Sequence, residues 1–209
     1  MCVEKILVVT FPRSGYHLLE TILARYFNIQ QCACSKNEDV KVSEIINDTV
    51  AFHRAHDMKL SINKNNFNMT VILYRKDIVK QLDAFFRYQF RTFDLDLNIP
   101  DREIRHSKCD HLDIPYNSEP NFFRVVAEEY RGWVNKWINN PTPNSIIIEY
   151  DEFMTNPKDS LNKLQKFLLG SFDETLSDQI IRELNIAYKH SLSPERYSEL
   201  QSLIEQLTN

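Results

Sequence analysis

Three short apolar runs constrain this chain more than anything else in it: "KILVVTF" at 5–11, "MTVILYR" at 69–75 and "NSIIIEY" at 144–150. Each is rich in β-branched residues and too short for a helix face, so each reads as a buried strand. Each then gives way to a helical period. Leu18, Leu19, Ile22, Leu23 and Tyr26 follow the first run; Ile78, Val79, Leu82, Phe85 and Phe86 follow the second. After the third, Leu161, Leu164, Phe167 and Leu168 share a face, and the pattern stops at Gly170, a usual helix terminator. Strands alternating with helices predict an α/β fold with a parallel β-sheet flanked by helices on both sides. "TVAFHRAH" at 49–56 is a fourth, shorter strand candidate, and "FFRVVAEEYRGWVNKWI" at 122–138 is an amphipathic helix carrying Phe123, Val126, Tyr130, Val134 and Trp137.

With 209 residues, 43% of them hydrophobic, the chain is long enough for one packed domain and short for two, so a single domain over 1–209 is expected. The polar, proline-containing stretch at 94–120 has no sustained period and reads as a lid or acceptor loop. A net charge of −4 supplies no basic field to draw the chain onto nucleic acid or an anionic membrane, so any anion site must be local. The start, "MCVEKILVVT", lacks the pattern of a signal peptide or anchor, and nowhere is there a run of about 18 apolar residues, which leads us to expect a cytoplasmic protein. Cys2, Cys32, Cys34 and Cys109 then read as reduced thiols, and the sequons at Asn47 and Asn68 carry no weight. His106, Cys109 and His111 lack an obvious fourth ligand; they read as a solvated loop, and no metal site is expected.

The first strand runs into "FPRSGYH", residues 11–17, and then directly into a helix. In a parallel sheet such a turn presents backbone N–H groups at the positive end of the helix dipole, where an anion binds. Pro12 fixes the exit from the strand, Gly15 lets the backbone curl close to a ligand, and Ser14 can donate from its hydroxyl. ATP-binding loops follow GxxxxGK[ST], whose lysine reaches the terminal phosphates and whose hydroxyl holds magnesium. Here Tyr16 and His17 follow the glycine, and the cation stands ahead of it as Arg13. Metal-assisted phosphoryl transfer is therefore disfavoured.

"PRSGYHLLETIL" resembles the 5′-phosphosulfate loop of PAPS-dependent sulfotransferases, of the form P-[KR]-S-G-T. "VILYRKDIVKQLDAFFRYQ" is similar to that family's 3′-phosphate segment, and "IIIEYDEFMTNPKDSLNKLQKFLLG" to its "YEDL…DP…L…FLG" stretch; together they span residues 6 to about 170. The resemblance implies a P-loop NTPase-like sulfotransferase fold. It also implies in-line transfer of a sulfuryl group from PAPS (3′-phosphoadenosine 5′-phosphosulfate) to a hydroxyl or amine, leaving PAP and requiring no metal. A sulfuryl group carries less charge than a phosphoryl group, so cationic side chains and amides suffice to stabilise its transfer.

Residue by residue, the resemblance places Arg13 at the bridging oxygen of the donor and the amides of Ser14, Gly15, Tyr16 and His17, after Pro12, around the 5′-phosphate. Arg75 matches the arginine at the 3′-phosphate, where Asp83 stands in place of the family's serine and Arg87 is the residue that would neutralise it. Tyr150 matches a tyrosine near the adenine. The family's basic, glycine-containing C-terminal loop has no clear counterpart, and Lys189 is the candidate there. "FHRAHD" offers two histidines, His53 and His56, for a family setting K-[ST]-H; His56 fits it better as general base, with His53 in reserve, and an imidazole with a pKa near ~6.5 suits the task.

Two other readings stay open. A small-molecule kinase would need the missing lysine, although Asp151 or Glu152 could hold its metal; a non-catalytic ligand-binding member of the same fold would suit Asp83 and the weak C-terminal loop. The acceptor, a small molecule or glycan, is expected against residues 94–120 and Phe85, Phe86, Tyr88 and Phe93; its identity and the oligomeric state are not legible.

Overall fold

A computed structural model describes residues 4–27, 40–47, 50–90, 119–184 and 192–206. The three apolar runs form β1 (Glu4–Thr10), β4 (Met69–Tyr74) and β5 (Ser145–Glu149), and the shorter candidate forms β3 (Val50–Ala55). These four strands are parallel neighbours in the order β3-β1-β4-β5. A fifth strand, β2 (Val40–Asn47), joins the β3 edge antiparallel. The sequence reading did not foresee it, because an edge strand with one hydrogen-bonded neighbour needs no continuous apolar run.

Helix α1 (Tyr16–Tyr26) follows β1, α2 (Ile78–Phe90) follows β4, and α3 (Glu119–Val134) leads through a π-helical turn (Asn135–Asn139) towards β5. The expected single helix at 122–138 is thus α3 plus that turn. After β5 come α4 (Tyr150–Thr155), α5 (Pro157–Leu169), α6 (Glu174–Leu184) and α7 (Pro194–Gln206). Helix α5 ends at Gly170, whose φ of 75° provides the left-handed cap. Ser193 accepts from the Arg196 amide at the start of α7.

Alternation along the strands separates two cores. Leu7, Val9, Ala55 and Ile72 face α2, α3 and α7; Ile6, Val8, Phe52, Val71 and Leu73 face α1, α5 and α6. On the first face Phe11 packs edge-on to Phe85, Tyr130 and Trp133. Trp133, which the periodic reading of α3 had passed over, is completely buried. Among the described residues no helix is long and apolar enough to cross a membrane.

The pairing registers decide where a site can form. Val9 lies opposite Ala55, Thr10 opposite Leu73, and Tyr74 opposite Glu149. The residues just beyond the strands, Phe11–Arg13, His56, Arg75 and Tyr150, therefore emerge along one carboxyl edge. Chain order reverses there about β1, with β3 on one side and β4 on the other, the crevice where open α/β sheets bind ligands.

Candidate active site

The turn leaving β1 is held open by two left-handed residues. Arg13 has φ 69° and Gly15 φ 91°, with Ser14 between them. Left-handed conformations alternating with ordinary ones turn successive N–H groups towards one concavity, an anion-binding nest. The nest ends in the first turn of α1, where helix geometry leaves the early amides without intrahelical acceptors. Gly15 is required twice over: a Cβ there would lie 2.5 Å from Tyr150 Cε2, in addition to the unfavourable φ.

Ser14 is turned inward. Its amide donates to the Phe11 carbonyl at 3.1 Å, and its hydroxyl donates to Gln81 Oε1 at 2.8 Å. Gln81 in turn donates to the Pro12 carbonyl. Ser14 does donate from its hydroxyl, as expected, and the acceptor is a side chain of α2, so it braces the turn against that helix. Gln81 was missed because a buried glutamine on an apolar helix face leaves no periodic signal.

His56 stands at the tip of β3 beside the end of β1. Its Nδ1 lies 2.8 Å from the Thr10 carbonyl and 3.2 Å from Thr10 Oγ1. A carbonyl can only accept, so Nδ1 carries the proton and Nε2 is the basic nitrogen. Trp133 Nε1 donates to the His56 carbonyl at 2.8 Å. His53 lies three residues back within β3, edge-on to Phe67. Its Nε2 is buried without a hydrogen-bond partner among the described residues, and burial, with nearby Lys5, lowers its pKa. The two histidines are not brought together.

Arg54, two residues before His56, lies with its guanidinium 3.5 Å over the Tyr16 ring. The same ring meets His56 edge-on at 6.4 Å. Tyr16 therefore joins the anion turn to the tip of β3.

Arg75 leaves β4 and lies 4.4 Å over the Tyr150 ring. Its Nε is 3.4 Å from Asp151 Oδ1, and its carbonyl accepts from the Tyr130 hydroxyl, whose pKa burial pushes up. Asp83, on α2, is buried and lies 2.8 Å from Arg87 Nε, one helical turn on. That ion pair removes the unscreened repulsion a lone carboxylate would present to an anion. Glu149 accepts from the Lys76 and Glu152 amides, clamping β5 against the exit of β4.

Lys189, residues 94–118 and the His106, Cys109 and His111 group lie outside the described residues. Among the described residues no cluster of metal-ligating side chains occurs.

Against solved structures, the chain matches mouse sulfotransferase SULT7A1 complexed with PAP over 99% of its own length and 84% of the other, with a TM-score of 0.51 at 16% identity. The chain has the sulfotransferase fold. The sulfotransferase domain from the curacin biosynthetic pathway aligns over 99% of this chain and 98% of that one, with 14% identity and a TM-score of 0.48. No protein-family model and no curated protein sequence matches the chain.

Proposed function

We propose that this protein transfers a sulfuryl group from PAPS to a hydroxyl or amine of a small-molecule or glycan acceptor. The observation that carries the reading is the shared tip of β1: the anion turn begins there, and the same strand end fixes the tautomer of His56. The complex of mouse SULT7A1 with PAP, on the same fold, supports PAP as the nucleotide product here.

The residues present fit such a donor. A nest running into a helix N-terminus suits its 5′-phosphate, held by the amides of Gly15, Tyr16 and His17. Arg13 belongs at the bridging oxygen, where a guanidinium stabilises the charge that develops on the departing phosphate. Arg75, stacked on Tyr150, is the candidate for the 3′-phosphate and Tyr150 for the adenine; Asp151 and the Asp83–Arg87 pair set the charge that phosphate would meet. When bound, the donor supplies an activated sulfuryl group on a phosphate leaving group.

The proton of the acceptor goes to His56 Nε2, while the Thr10 carbonyl stabilises the imidazolium through Nδ1. His53 is the weaker base, since burial already disfavours its charged form. A cationic loop and a histidine suffice for this chemistry without a metal.

Isothermal titration with PAP and with ATP tests the reading. PAP binding without ATP binding is expected, and ATP bound with PAP ignored would overturn it in favour of a kinase. PAP binding with no turnover on any acceptor class would leave a non-catalytic ligand-binding protein.

A further inference from the structure

The residue after His56 is the centre of a buried polar network. The Asp57 side chain is fully enclosed, and its carboxylate accepts from Lys136 Nζ at 2.6 Å, Trp137 Nε1 at 3.0 Å and the Ile62 amide at 3.0 Å. Lys136 Nζ also donates to the Leu60 and Ile62 carbonyls, at 2.9 and 2.7 Å. The two side chains that donate to Asp57 both come from the π-turn behind α3, while the Ile62 amide comes from its own loop.

Backbone strain is concentrated in the same place. Asp57 has φ 49° and Leu60 φ 53°, and the Leu60 amide closes a turn onto the Asp57 carbonyl at 3.1 Å. Two non-glycine residues in the left-handed region persist only where their surroundings over-determine them. The π-turn brings Lys136 and Trp137 onto the same loop as Trp133, and Lys64 Nζ donates to the carbonyls of Lys136 and Asn140 around the turn. A strained turn with a dedicated clamp begins at His56.

We infer that Asp57 is a positioning residue: together with Lys136, Trp137 and Trp133 it fixes the backbone at His56 so that Nδ1 stays on the Thr10 carbonyl and the ring keeps one orientation. This rests on the proposed role of His56 as base. A plain structural staple would not need to meet the chain at the histidine itself, where Trp133 holds the His56 carbonyl directly. A displacement of ~1 Å in a proton acceptor lowers turnover on the order of 100-fold, so a clamp at this point acts on rate.

The test compares wild type with Asp57→Asn, Trp133→Phe and Asp57→Asn/Lys136→Gln. The first opposes an amide to the lysine, the second removes the indole donor to His56 together with part of a buried ring that packs on Phe11, and the third restores an uncharged hydrogen-bonded pair. Nitrogen-15 spectra of the His56 ring report its tautomer without any acceptor, and PAPS turnover to PAP with water as acceptor reports rate. Wild type is expected to show one Nδ1–H tautomer. Asp57→Asn and Trp133→Phe should mix the tautomers and lower PAPS turnover on the order of tenfold with PAP affinity unchanged, and the double variant should recover both. A single Nδ1–H tautomer retained in both single variants would overturn the inference, as would a uniform loss of PAP affinity with the tautomer intact. Should Asp57→Asn not fold, Trp133→Phe alone decides. Because the spectra need no catalysis, an inactive wild type would count against sulfuryl transfer while leaving the positioning question answered.

Discussion

His56→Ala removes the proposed base while leaving residues 11–17 intact, so PAPS turnover should fall on the order of 100-fold or more with PAP affinity unchanged by titration. Arg13→Ala should lower turnover at least as far. Wild-type rates in His56→Ala but not in His53→Ala would reverse the choice of base. Gly15→Ala combines a φ of 91° with a Cβ 2.5 Å from Tyr150, and should destabilise the fold by ~1–3 kcal/mol from backbone strain alone, seen as a lower denaturation midpoint. Gly170→Ala serves as its control, because no atom lies within 4 Å of a Cβ there and only the ~1–2 kcal/mol conformational cost at φ 75° remains. Arg13, Gly15 and His56 were legible as strand-end residues because the strand pattern breaks at each. Gln81 and Asp57 were not, because their partners lie 67 and 79 residues away along the chain.

Among the elements, α3 carries both an anchor and a titrating group. Glu129 lies largely within the protein, its Oε2 has no hydrogen-bond partner among the described residues, and burial pushes its pKa up to about 7 from 4.5. Between those two values the folded chain holds a proton that the unfolded chain has released. Stability should therefore decline as pH rises through that window and level off above it. Glu129→Gln should flatten that decline in urea midpoints measured from pH 4.5 to 7.5, and an unchanged slope would assign it elsewhere. The amphipathic pattern identified α3 but not its change into a π-turn at Asn135, since the periods of the two helices diverge by too little over five residues. Likewise β2 escaped notice, while the three buried runs could hardly be read otherwise: central strands need apolar side chains on both faces.

At the scale of the whole molecule, the sheet separates two cores, and Phe11 links one of them to the anion turn. Phe11→Ala should destabilise by ~3–5 kcal/mol, because its ring fills the space between Phe85, Tyr130 and Trp133. Its denaturation curve should shift without a second transition, since the chain folds around a single sheet. The parallel part of the sheet was readable from strand-helix alternation, whereas the setting of each site residue was not, because registers and side-chain networks depend on contacts distant in sequence. The hydrogen bond between His56 and Thr10 joins residues 46 apart, and with the Tyr16 ring beside His56 it couples the histidine to the turn after β1. Alignment of those two parts is therefore a local property of neighbouring strand tips. On the proposed function, segments away from these strand tips can be exchanged without moving His56 from the turn that would hold the donor, which makes this sheet edge a portable module.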